Sequence, residues 1–226
     1  TTTLTDAAGN ESPQSAALPL TVDTAAPAAP TGVTVTDDVA PVTGAIAANG
    51  ASNDNKPTFA GAAGSAEAGS TITVMDGATV LGTAVVAADG SWSVTPTTAL
   101  ADGAHSITTR ATDAAGNVSP VSPALALTVD TAAPAAPAAP TSTAPSTNDN
   151  TPGIHIGVGL TDTPSLYVDG VKVPATYDPV TGTLTPTTPL GDGVHQFTTT
   201  LTDAAGNESP VSPALALTVD TAAPAA

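Results

Sequence analysis

Between residues 32 and 129 short apolar and polar runs alternate with clusters of Gly, Pro, Asn and Asp, and helix signals are almost absent. The alternation predicts seven strands, near 32–36, 57–61, 71–75, 79–86, 91–95, 105–112 and 124–129. Asp76-Gly77 reads as a tight hairpin and Asp89-Gly90 as a second turn. Ala114-Ala115-Gly116-Asn117 reads as a third, in which Gly116 takes positive φ. Seven short strands predict a β-sandwich. A shorter version follows, with strands near 165–168, 172–176, 183–186, 196–202 and 214–219 and a turn at Asp169-Gly170.

The plan recurs because the sequence does. Thr-Asp-Ala-Ala-Gly-Asn, then Ser-Pro, then a run closing on Thr-Val-Asp-Thr-Ala-Ala-Pro-Ala-Ala, occurs three times, with its first aspartate at Asp6, Asp113 and Asp203 and its last at Asp23, Asp130 and Asp220. Both series are spaced by 107 and 90 residues, so length variation lies elsewhere in the unit. Asn-Asp-Asn at 53–55 and 148–150 locates most of it: Asp23 to Asp54 is 31 residues, Asp130 to Asp149 only 19. Repetition on this scale is the mark of a tandem array. The divisions are a partial C-terminal hairpin of a preceding unit at 1–23, a full unit at 24–130, a shorter divergent unit at 131–220, and the start of another linker at 221–226.

Three Lys and Arg against 20 Asp and Glu give a formal charge of −17, which argues against nucleic acid and anionic membrane surfaces as partners. The 41% hydrophobic content is enough for small cores, while the absence of cysteine rules out a disulfide brace. No apolar run reaches the roughly 18 residues of a membrane span, and Thr1 opens inside the repeat, so any secretion signal is expected outside these residues. Prolines at 134, 137 and 140 make the linker after Asp130 an extended strut.

Five segments carry a resemblance: NDNKPTFAG at 53–61, STITVMDG at 70–77, DGSWSVTP at 89–96, LADGAHSITTRATDAAGNVSPVS at 100–122 and TVDTAAPAAP at 128–137. Together they resemble the bacterial immunoglobulin-like repeats of giant surface adhesins exported by type I secretion. The second unit departs between 151 and 188, where Gly-Ser-Trp is missing and Tyr167 and Tyr177 appear. The resemblance implies an all-β array of seven-stranded Ig-like sandwiches at the bacterial cell surface, non-enzymatic and working in adhesion or biofilm. Its partners would be neighbouring repeats, with a host or surface ligand held by a distal domain. It also implies calcium between or within repeats.

Strand alternation assigns the loops to two poles, and one reading of the residues agrees with calcium. The far pole gathers Asp37, Asp38, Asp54, Asp102 and Asp130, of which Asp37, Asp38, Asp54 and Asp130 would face Asp203 of the next unit, while Asp23 would help Asp113 hold a cation. Converging carboxylates in so acidic a chain call for a cation, and an all-oxygen ligand set suits Ca²⁺. The shorter unit offers only Asp149, Asp192 and Asp220 and is expected to bind more weakly. The competing reading has Asp113 and Asp203 capping their own turns and the rest solvated.

No catalytic motif is present: no cysteine, no Gly-x-Ser-x-Gly, no His-Glu-x-x-His and no phosphate loop. His105 and His195 share one repeat position and read as structural, His155 stands alone, and Trp92 reads as core. Two further functions stay open, a glycan- or protein-binding module using Tyr167 and Tyr177, and a spacer in a polysaccharide-degrading enzyme. Residues 1–23 are either a frayed remnant or an edge for strand addition.

Overall fold

The computed structural model describes residues 1–224. Its first unit is a sandwich of two sheets. One contains β1 (Thr34–Asp37), β2 (Gly44–Ala45), β4 (Thr58–Gly61) and β7 (Trp92–Val94) in the order β2-β1-β4-β7. The other contains β3 (Ala51–Ser52), β5 (Thr71–Asp76), β6 (Thr79–Val85), β8 (Gly103–Thr112) and β9 (Leu125–Val129) in the order β3-β9-β8-β5-β6.

Period-two burial explains the pairing. Phe59 on β4, Ile72 and Val74 on β5, Trp92 and Val94 on β7, Ile107 and Ala111 on β8, and Leu127 and Val129 on β9 point between the sheets and are buried. Gly61 opposes Trp92 in the β4–β7 ladder, and a Cβ there would collide with the indole. Trp92 is 5% exposed, a core residue as its sequence position implied.

The second unit keeps the plan with a smaller core. One sheet orders β10 (Ser146–Thr147), β17 (Leu215–Val219), β16 (Gly193–Thr202), β12 (Thr163–Val168) and β13 (Val171–Val173); the other orders β11 (Ile154–His155), β15 (Thr183–Pro186) and β14 (Ala175–Asp178). Ile154, Leu166, Val168, Leu184, Phe197 and Leu217 fill the space between them.

All seven strands expected in the first unit form, but the two-residue strands β2, β3, β10 and β11 were not legible, since so short a strand is defined only by its neighbour. The single strand expected at 172–176 is two: β13 pairs with β12, and β14 pairs with β15 in the opposite sheet. Pro174 separates them, and without an N–H it cannot extend either ladder.

Residues 1–23 make a turn held by the bridge Thr5↔Glu11 and by Ser12 N–H to Leu4 O at 2.8 Å. Leu20 there is 82% exposed, whereas its repeat equivalent Leu127 is 1% exposed. The difference is the sheet around it: β9 is paired on both sides, with β8 and with β3, whereas among the described residues 18–22 has no strand beside it.

Candidate interdomain junction

Asp-Ala-Ala-Gly-Asn folds the same way at each occurrence. Asp113 Oδ1 accepts the N–H groups of Ala115 (2.9 Å) and Asn117 (2.8 Å), and Asp113 Oδ2 accepts the Asn117 side-chain amide at 2.8 Å. Asp203 treats Ala205 and Asn207 alike, at 2.9 Å for all three bonds. Asp6 does the same with Ala8 and Asn10, again at 2.9 Å. Each turn needs its glycine, with φ of +90° at Gly9, +93° at Gly116 and +97° at Gly206. The Asn side-chain bond, reinforced by backbone N–H donors, holds the Asp6 and Asp113 carboxyls below the usual carboxylate range.

The clamped asparagine has a second donor hydrogen, and it reaches back across the chain. Asn117 Nδ2 donates to the Asp23 carbonyl at 3.1 Å, 94 residues away, and Asn207 Nδ2 donates to the Asp130 carbonyl at 2.8 Å, 77 residues away. In both cases the acceptor is the exit aspartate of the preceding repeat segment. The aspartate fixes the asparagine, and the asparagine holds the neighbour.

The second of these contacts is the more complete. Asn53 N–H donates to the Ala205 carbonyl at 2.9 Å, and Gly206 lies so near Val42 that a Cβ on it would stand 3.0 Å from the valine Cβ. A crevice lined by Val42, Ile46, Ala51, Ala204 and Ala205 continues this contact between the units.

On the exit side, Asp102 Oδ1 accepts both the N–H (3.1 Å) and the hydroxyl (3.0 Å) of Thr131, and Asp192 does so for Thr221 at 3.0 and 2.8 Å. A histidine braces each of these loops. His105 Nδ1 lies 2.7 Å from Asp76 Oδ2 and Nε2 lies 2.8 Å from the Ala101 carbonyl; His195 lies 2.7 Å from Asp169 and 2.9 Å from the Gly191 carbonyl. With an acceptor at each ring nitrogen, only the imidazolium donates both bonds. Burial draws the His105 pKa down, but the Asp76 and Ala101 bonds outweigh it and the net shift is upward. At His195 the Asp169 hydrogen bond is the largest influence, and that pKa is also raised.

Most of the aspartates expected to hold calcium accept hydrogen bonds from nearby N–H groups. Asp130 and Asp203 do reach the same junction, yet Asp130 contributes its carbonyl and turns its Oδ1 to the Ala132 N–H. Asp23, Asp149 and Asp220 bond in the same way to the N–H groups of Ala25, Thr151 and Ala222. Asp37 and Asp54 are buried beside each other, linked through Ser52, and all four of their oxygens accept hydrogen bonds, from Val39, Ser52, Lys56 and, at 3.4 Å, the exposed Asp38 N–H. Among the described residues no three His, Asp or Glu side chains are placed to hold a metal ion.

Neither second-unit tyrosine is an exposed platform. The Tyr167 hydroxyl donates to Glu208 at 2.8 Å, the Tyr177 hydroxyl donates to the Gly157 carbonyl at 2.7 Å, and both rings are half-buried. His155 is exposed, with Nδ1 on the Thr181 carbonyl at 3.0 Å.

Two successive β-sandwiches joined by a repeated turn-to-exit contact define a tandem immunoglobulin-like chain. The bacterial Ig-like domain family matches it twice, at residues 30–131 and 139–221, and the chain belongs to that family. Comparison with curated proteins gives no match. Solved structures similar to it include fibronectin(III)-like modules of Clostridium thermocellum CbhA, at 15% identity over 82% of this chain and 93% of that one, with a TM-score of 0.48. A tetra-tandem repeat from the extending region of a large adhesion protein matches at 22% identity over 97% of this chain and 55% of that one, TM-score 0.29. A 1.5-MDa bacterial ice-binding adhesin matches at 21% identity over 74% of this chain and 58% of that one, TM-score 0.36. The chain thus spans a little over half of each adhesin structure.

Proposed function

We propose that this chain is an extender segment of a secreted bacterial surface adhesin, in which Ig-like units are held end to end to carry a distal binding domain away from the cell. The observation that carries the reading is the pair of bonds from Asn117 to Asp23 and from Asn207 to Asp130, one motif making one contact at successive repeats. A bond between a side chain fixed by its own turn and a backbone carbonyl of the neighbour restricts bending without enclosing a ligand. The family match to both units and a surface carrying −17 of formal charge, suited to remaining soluble and apart from other anionic chains, support the same reading.

The mechanism proposed is hydrogen-bonded stiffening, which these bonds supply without requiring bound calcium. Small-angle X-ray scattering of the full chain tests both statements. Asn207→Ala removes the donor to Asp130 and is expected to broaden the distance distribution and shift its maximum, while EGTA is expected to leave the parent's distribution unchanged. An unaltered distribution in Asn207→Ala would sink the extender mechanism, and loosening by EGTA would show a calcium clamp acting beside the hydrogen bonds.

A further inference from the structure

The two copies of the turn differ in what covers them. Ala205, Gly206 and Asn207 are buried, with Ala205 at 4% and Asn207 at 8% exposure, whereas Ala115 and Gly116 are exposed and Asn117 is half-buried. The cover on the second turn comes from the segment between β1 and β4 of the first unit, through Val42 and Asn53. That segment holds the extra length that separates the 31-residue spacing of the first unit from the 19-residue spacing of the second.

From this we infer that the 113–117 turn is a docking surface for the 38–53 segment of another long unit, a second copy of residues 24–130, and that the short unit 131–220 cannot cover such a turn in the same way. The inference rests on the reading of the chain as a tandem array. Its physical basis is the identity of the acceptor: the same five residues, closed by the same bonds, present the same outward carbonyl, glycine and asparagine amide at both places. A crevice lined by Thr21, Asp23, Glu67, Gly69, Asp113 and Ala115 lies open beside the first turn.

The donor side is equally specific. In the long unit the chain leaves β1, folds back on it through β2 and crosses to the other sheet at β3, and this detour carries Val42 onto the following unit. In the short unit Thr141 bridges His155 and the chain runs directly to β10, so it retains Asn148 where the long unit has Asn53 but has no counterpart of the β2 detour. A junction after a long unit is therefore covered and stiff, and one after a short unit is held by the asparagine contacts alone. The order of long and short units along such an array would set where it bends.

The chain lacks cysteine, which makes thiol labelling a direct readout. Ala115→Cys and Ala205→Cys are made separately in the full chain. Ala115→Cys is then placed in two longer chains, one with residues 24–130 in place of 1–23 and one with residues 131–220 there. The joins are native in kind, because Thr-Ala-Ala-Pro-Ala-Ala-Pro follows Asp23 and Asp130 alike. In the full chain the cysteine at 205 is expected to label about tenfold more slowly than the one at 115, the slowing a covered surface gives. With a long unit ahead, labelling at 115 should fall to the rate at 205; with a short unit ahead it should stay within about twofold of its starting rate. Val42→Asp in the preceding long unit should restore fast labelling, and intact circular dichroism would exclude unfolding as the cause. No slowing behind the long unit, or equal slowing behind both, overturns the inference while the extender reading stands. Fast labelling at 205 in the full chain would instead count against the junction on which that reading rests.

Discussion

Asp-Ala-Ala-Gly-Asn occurs in three surroundings within one chain. At 6–10 its asparagine returns, among the described residues, only to its own aspartate; at 113–117 it adds a bond to an incoming strand end; at 203–207 it is buried beneath a neighbouring unit. The internal bonds scarcely change, at 2.8–2.9 Å in every copy. The lesson is a separation of duties: five residues suffice to shape the turn, and whatever packs against it determines what the turn does.

The largest test of that separation lies in the cores. Phe59 and Phe197 are each fully buried in their own unit, and truncation to alanine is expected to cost about 3–5 kcal/mol. Calorimetry of the full chain should show Phe197→Ala lowering the second unit's transition and leaving the first nearly in place. A single merged transition for both variants would mean that the junction couples the units more strongly than a few hydrogen bonds do.

A smaller and graded effect is expected from removing the turn aspartate. Asp203→Ala leaves the buried Asn207 without its clamp and should cost about 1–3 kcal/mol, the usual penalty for a stranded polar group. Asp113→Ala should cost less because its turn is wetter, and Asp6→Ala should leave both unfolding transitions untouched. Equal losses at 113 and 203 in chemical denaturation would show that burial adds nothing to the turn.

The smallest effect expected is on pH. The raised pKa values of His105 and His195 mean that the folded protein holds these protons more tightly than the unfolded chain, whose histidines titrate near 6.5. Their contribution is fully present below about pH 6.5 and is lost as pH rises through the raised folded values. Melting temperatures should therefore decline modestly from pH 6 to pH 9, and His105→Gln with His195→Gln should flatten that decline. A decline that persists in the double variant would assign it elsewhere.

Much of this architecture could be read from the residues themselves. Alternation located the principal strands around Phe59, Ile72, Trp92 and Ile107, because a residue buried between sheets must be apolar and its neighbour outside need not be. The glycine of each turn marked a backbone position with positive φ. Other features left no such trace. Gly44–Ala45 and Ala51–Ser52 are strands only because β1 and β9 lie alongside. In the junction the aspartates drew attention as charged groups, whereas the side-chain bonds between units come from Asn117 and Asn207. The repeat placed an asparagine there each time, but a side-chain amide has no signature of its own until its partner is known.

By itself the sequence determined the local shapes and the order of the units, since turn chemistry, strand alternation and repeat spacing act over a few residues and are written in residue type. The tertiary structure decided which copy of a turn is buried, which of two identical motifs meets Val42 and Asn53, and that Asp130 offers a carbonyl and not a carboxylate. Those outcomes depend on groups 77 or 94 residues apart meeting in space, and no local pattern records such a meeting.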